Sequence, residues 1–533
     1  MTREPDSARA SARAAWLETA FVVVVSLLYG GTLILARWGY QASADSYYHF
    51  AVAREIAQGR LRGELRPHLP WTILTQWPVD HYFGFHLLLA PFAALPSALG
   101  GLKLATLVFF VAVPLSSFWF LRARGVRFAW AWCFGPLLFA NQDWRYLMLR
   151  GGNWLLVLSI ALLQIAFFTP NRAWRRVGIV LVSYIATLSY QGGVILLPLH
   201  VTALFSASVL CWSRVERQLL WEPLLTAAGL ALGFLLNPYM NGSAATLRFL
   251  WFHVGYMNLD PAGLYPGLRE FGPVPLAYLP ANPEFIIAPL ALSLTALWVL
   301  QRAVRRRPPS YALAVLLGAA LVGLILTARA IRMREYGVPW AVLFFALFSA
   351  QWRLPRQLPL VRRIAAPALA AFVCLLLLLK WPNTFELLGE HLPSAQYAGA
   401  RGLLEAHRGP PVLNVAEGDY TTLRWEDPDV STVQGLSHYF LYPNRPVFDD
   451  VTTLRDSPSV ALRLEALKRF SERGVRLVAV QHRNSAFALL ERYPSAFHLA
   501  YRSPAATVMP QFRSSIYVLD RAGLESALTS ASR

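Results

Sequence analysis

The chain has 533 residues, 56% of them apolar and only 15% charged, and its mean hydropathy is +0.40. Soluble domains carry about 25% charged residues, so a disordered chain, a secreted disulfide scaffold and an ordinary cytosolic enzyme are excluded. With a net charge of +19, the remaining reading is a polytopic membrane protein.

Apolar runs near the roughly 20 residues that cross a bilayer lie at 16–36, 101–121, 128–141, 154–170, 177–190, 192–211, 221–237, 285–301, 310–328, 338–350 and 364–381. These predict about eleven transmembrane helices. A further run, 81–98, carries His81, His86, Pro91 and Pro96. Arginine-rich loops face the cytoplasm. The clusters at 3–13, 122–127, 172–176, 214–217, 302–307 and 353–363 fall on one side only if 81–98 does not cross. That run therefore reads as a re-entrant or surface helix. The N-terminus is then cytoplasmic, and whatever follows the last helix is extracytoplasmic. The first helix lacks a small-residue cleavage site, so it reads as a retained span rather than a signal peptide.

The chain changes character near Trp381-Pro382-Asn383. From Asn383 onward there are 16 basic and 16 acidic residues, so the whole surplus of +19 belongs to residues 1–382. Residues 1–382 form the membrane domain in this reading, and 383–533 a soluble domain. Short β-branched runs at 411–415, 475–480 and 515–519 alternate with helical patterns at 394–407 and 457–473. This predicts an α/β sandwich. A neutral soluble domain argues against a nucleic-acid partner. The three cysteines, Cys133, Cys211 and Cys374, all sit in apolar runs.

Polar chemistry gathers in the predicted external segments. Asp45-Ser46-Tyr47-Tyr48-His49 follows the first helix, Asp143 and Arg150-Gly151-Gly152 lie in the second segment, and Leu268-Arg269-Glu270-Phe271-Gly272-Pro273 lies in the third. Arg329, Arg332, Arg334 and Glu335 follow the helix at 310–328. Each has a plainer reading. Asp45 at a helix start suits an N-cap, Arg150 and Arg332 suit lipid headgroups, and Glu270 suits a loop charge. Together, ionisable groups converging at a membrane boundary mark a site. Arginine forks bind phosphate, and a facing carboxylate can deprotonate a nucleophile while phosphate departs.

The Asp45-Ser46-Tyr47-Tyr48-His49 segment resembles the first-external-loop acidic motif of GT-C membrane glycosyltransferases, above all the catalytic subunit of oligosaccharyltransferases. The 268–273 and 332–339 segments are similar to that family's later motifs. The resemblance implies Asp45 as the catalytic acid-base group, Arg150, Arg332 and Arg334 as ligands of the donor phosphate, and Glu270 and His49 as acceptor contacts. It also implies a divalent cation, Mg or Mn, near Asp45, Asp143 and Glu270. The implied donor is a sugar on a polyprenyl phosphate or pyrophosphate. The implied acceptor is a protein, lipid or glycan, and the implied location is the inner membrane. Two features depart from the family. Asn153 and Trp154 stand where an acidic pair is usual, and 412–420 lacks the tryptophan pair of the WWDYG sequon reader. A sugar transferase other than a sequon-directed one is therefore the preferred reading. A lipid or polysaccharide flippase, or a non-catalytic scaffold of a glycan-assembly complex, also accommodates the composition.

Overall fold

The computed structural model describes residues 4–36, 44–59, 68–72, 80, 82–139, 142–238, 284–305, 309–329, 333–351, 359–389, 396–416, 418–435, 441, 444–504 and 513–531. The helical part contains α1 (Glu4–Ala36), α2 (Ala44–Ala57), α3 (Phe83–Ala93), α4 (Ala98–Arg122), α5 (Gln142–Leu147), α6 (Gly151–Phe168) and α7 (Arg172–Ser189). It continues with α8 (Leu196–Cys211), α9 (Glu222–Leu235), α10 (Glu284–Val304), α11 (Tyr311–Arg329), α12 (Arg334–Ser349) and α13 (Pro359–Gly389).

Among the described residues, seven helices are long and apolar enough to cross a membrane: Arg13–Leu35, Ala98–Arg122, Gly151–Phe168, Gln191–Cys211, Arg217–Leu235, Tyr311–Ala328 and Ala365–Phe385. The sequence reading expected about eleven. The run at 128–141 shows where the two part. It folds as one helical turn, Ala129–Trp132, and a separate 3-10 turn, Gly135–Leu138. Pro136 has no N–H to continue the first turn's hydrogen bonding. α3 has 11 residues, which is about 16 Å of helix against a hydrocarbon core of about 30 Å. It does not cross.

Small residues let the helices approach closely. A Cβ on Gly229 would lie 2.5 Å from the Val180 carbonyl oxygen, and one on Gly233 would lie 2.7 Å from that of Tyr184. The Gly-x-x-x-Gly spacing thus seats α9 against α7, as small residues do in membrane bundles. Trp340 is fully buried and donates its indole N–H to Ser159 Oγ at 3.0 Å, tying α12 to α6.

Arginines mark one end of this bundle. Arg122 pairs with Glu18, and Arg124 donates to Gln164 Oε1 at 2.7 Å while lying over the Phe120 and Phe168 rings. Arg175 Nε donates to Glu222 Oε1 at 2.8 Å. Gln164 lies near the C-terminal end of α6. At 1.5 Å per residue it is roughly 21 Å along the helix axis from Arg150, so Arg150 belongs to the other end.

The C-terminal residues form a four-stranded sheet in the order β1-β2-β4-β3, with β1 (Leu413–Asn414), β2 (Leu477–Gln481), β3 (Phe497–Arg502) and β4 (Ser514–Leu519). β1 runs parallel to β2, and β4 is antiparallel to both β2 and β3. Around the sheet lie α14 (Arg401–Ala406), α15 (Asp419–Glu426), α16 (Arg445–Asp456), α17 (Val460–Glu472), α18 (Ser485–Arg492) and α19 (Arg521–Ala531). Every residue of β2 is buried.

Asp419 is one of the acids buried in this domain, with Asp427 and Asp450. Asp419 is fully buried and accepts from Gln396 Nε2 at 3.1 Å and Gln481 Nε2 at 3.0 Å. Burial raises its carboxyl pKa from 3.8 to about 6. A raised folded-state value favours folding below the unfolded pKa, and the benefit fades as pH rises through the folded one. The parent should therefore lose about 2 kcal/mol between pH 4 and pH 6 from this group. Asp419→Asn keeps an acceptor for both glutamines. Its melting temperature is expected to lack that slope and to exceed the parent's above pH 6. Parallel melts at pH 4.5 and 7.5 check this.

Candidate active site

The site is built where α2, the α5–α6 connection and α12 meet. Asp45 lies in the first turn of α2, where a carboxylate is favoured by the helix dipole. Arg150 immediately precedes α6 in extended conformation. Its Nε donates to Asp45 Oδ2 at 2.7 Å, and its Nη2 binds the same oxygen. Arg150 Nη1 also lies 4.0 Å from Glu335 Oε1. Arg145 Nη1 donates to that same Glu335 oxygen at 2.8 Å. Asp45, Arg150, Glu335 and Arg145 thus form a row of alternating charge. Asp45 is its open end, with the side chain 27% exposed against 8% for Glu335.

Local sequence explains the placement. Gly152 stands against the first turn of α12, where a Cβ would lie 3.1 Å from the Tyr336 hydroxyl and 3.2 Å from Glu335 Oε2. Glycine lets α6 begin beside the acid. Asn153 Nδ2 donates to the Tyr146 and Met148 carbonyls at 3.0 and 2.8 Å, closing the loop that carries Arg145 and Arg150. The Leu149 N–H donates to Ser46 Oγ at 3.0 Å, joining that loop to α2. Asn153 and Ser46 therefore hold the two sides of the Asp45–Arg150 pair together.

The expected site residues are not all gathered here. Asp45 and Arg150 meet. Arg334 opens α12 beside Glu335 and is buried. Glu270 and Arg332 lie outside the described residues. Asp143, expected as a metal ligand, is fully buried elsewhere in the bundle. Tyr29 donates to its Oδ2 at 2.5 Å, Thr384 binds the same oxygen, and Lys380 Nζ lies 3.0 Å from Oδ1. A carboxylate already holding two hydroxyls and an ammonium serves to join α1, α5 and α13. His49, expected to touch the acceptor, is only 2% exposed. Its Nδ1 lies 2.9 Å from His86 Nε2, and His86 Nδ1 lies 2.7 Å from Asp80 Oδ2. It ties α2 to α3. Among the described residues no three His, Cys, Asp or Glu side chains are grouped to hold a metal ion.

Two residues of the row received no role from the sequence: Glu335, which appeared there only as a member of the polar cluster at 329–335, and Arg145. The available signal was an acid following arginines at the start of an apolar helix, since such intramembrane acids seek a partner.

No protein-family model and no curated protein sequence matches the chain. Solved structures do. Oligosaccharyltransferase AglB from Archaeoglobus fulgidus, in complex with an inhibitory peptide and a dolichol-phosphate, matches at a TM-score of 0.57 and 13% identity, over 95% of this chain and 74% of that one. ArnT from Cupriavidus metallidurans bound to undecaprenyl phosphate matches at 0.56 and 14%, over 94% of this chain and 98% of that one. The chain has the GT-C fold. AglB in complex with Zn and sulfate shares it too, at a TM-score of 0.54 and 14% identity, over 93% of this chain and 73% of that one. In this chain the Asp45–Arg150 pair stands at the bundle end remote from Arg122, Arg124 and Arg175.

Proposed function

We propose that the protein is an integral-membrane glycosyltransferase that takes a sugar or glycan from a polyprenyl phosphate or pyrophosphate. The observation that carries this is the partly open Asp45 carboxylate held by the Arg150 guanidinium at one end of an apolar bundle. Asp45 accepts the proton of an acceptor hydroxyl or amide as that group attacks the anomeric carbon. The bond from carbon to the phosphate oxygen breaks, and its electron pair leaves with the phosphate. Arg150, with Arg332 and Arg334, offsets the charge that builds on the leaving oxygen. Attack opposite the leaving group inverts the anomeric centre. Phosphate is already a good leaving group, so a second acid is unnecessary.

The arginine-rich end of the bundle supports an orientation. Arginine favours the cytoplasmic side, which leaves Asp45 and the C-terminal residues on the extracytoplasmic face of the inner membrane. The polyprenyl-phosphate and dolichol-phosphate complexes of ArnT and AglB support the donor class.

Arg150→Gln tests the phosphate role. Hydrogen bonds to charged groups contribute about 1.5–3 kcal/mol, so undecaprenyl phosphate should bind roughly 10- to 100-fold more weakly. Native mass spectrometry or a fluorescence titration in nanodiscs reads this. Unchanged binding would remove Arg150 from the phosphate site.

A further inference from the structure

α2 packs on α3 through Tyr47, His49 and Phe50, and on the C-terminal sheet domain through Tyr48, Val52 and Glu55. Arg424 on α15 is only 2% exposed. Its Nη2 binds the Glu55 carboxylate on α2, and its Nη1 donates to the Tyr420 hydroxyl at 3.2 Å. The Tyr420 ring lies 6.2 Å from that of Tyr48, and Trp425 meets Tyr47 edge-on at 5.1 Å. Tyr48 and Val52 share one apolar cluster with Leu413, Leu467 and Phe470. One face of α2 thus completes the core of the C-terminal domain. The same 14-residue helix carries Asp45 in its first turn and Glu55 in its last. A helix of that length is marginal alone in water, so its rotation depends on what grips it.

The segment where a sequon reader was sought has a different use. Asp419 is fully buried and Tyr420 is 1% exposed, so neither meets an acceptor. We infer that the C-terminal domain acts as a positioning element for Asp45, with Arg424 fixing α2 through Glu55. The guanidinium fork suits this, because it reaches Glu55 and Tyr420 at once. Removing one partner leaves a buried charge uncompensated, whereas removing both does not.

The inference rests on the proposed role of Asp45, and two readouts in the full-length protein separate them. In Arg424→Gln, amide exchange across residues 45–57 should rise about tenfold or more while β2 and β4 keep the parent's protection. Glu55→Gln, which leaves the C-terminal domain unaltered in sequence, should do the same. In a transfer assay both variants should lower kcat about tenfold or more and leave the donor KM within about twofold. The pair Glu55→Gln with Arg424→Met should return exchange and kcat toward the parent. Unchanged exchange in α2, or an equal rise in α2 and the sheet, would overturn the inference. So would a loosened α2 with full kcat. A parent protein without any transfer activity would instead end the reading of Asp45, and the exchange data would still decide whether Arg424 holds α2.

Discussion

Asp45→Asn is expected to reduce sugar transfer by about 10²- to 10⁴-fold, the usual contribution of a general base. The chain should remain folded. Asp45 is 27% exposed in its pair with Arg150, so the loss of stability should stay within about 1 kcal/mol. Asparagine keeps the side chain's shape and one acceptor oxygen for Arg150, but it cannot take a proton. The measurement is turnover of a labelled polyprenyl-phosphate sugar by purified protein, with a melt of the same preparation. Retained transfer with an unchanged melt would remove Asp45 from the chemistry.

Glu335→Gln should have the largest effect on stability. Glu335 sits between Arg145 at 2.8 Å and Arg150 at 4.0 Å, with both flanking guanidinia largely buried. Neutralising it removes the carboxylate to which Arg145 Nη1 donates in a poorly solvated place. Breaking a buried pair in this way costs about 3–5 kcal/mol, so the melting temperature should fall sharply. The field at the opening becomes more positive at the same time. Donor phosphate should therefore bind no more weakly than in the parent, even as the protein loses stability. Combining Glu335→Gln with Arg145→Met removes both charges and should recover much of the lost stability. Melts of the three variants, with a phosphate-lipid titration for Glu335→Gln, check this. A single variant as stable as the parent would contradict the buried row of charge.

Much of this was legible in the sequence. The apolar runs announced the helices long enough to cross a membrane, while the change of character at Asn383 falls inside α13, Pro359–Gly389. The resemblance at 45–49 singled out Asp45, which the fold brings to Arg150. Arg150 was singled out by the resemblance of the Arg150-Gly151-Gly152 segment, and the fold sets it against Asp45. What escaped depends on which way a side chain faces after folding. Glu335 and Arg145 are far apart in the chain, and no local pattern announces their pairing. The resemblance implied His49 as an acceptor contact, and in the fold it is buried with its Nδ1 2.9 Å from His86 Nε2 on α3. Asp143 held a plausible ligand position, but Tyr29, Thr384 and Lys380 approach from α1 and α13 and take its oxygens. The apolar run at 128–141 lacked only a continuous backbone, because Gly135-Pro136 divides it.

The decisive measurement is a cryo-EM structure of the full-length protein in nanodiscs with undecaprenyl phosphate. The phosphate should bind Arg150 at the mouth formed by α2 and the start of α12, with the Asp45 carboxylate released from Arg150 and facing the lipid's phosphate. A phosphate bound away from Arg150, with the Asp45–Arg150 pair intact, would contradict the assignment of this site as the place of sugar transfer.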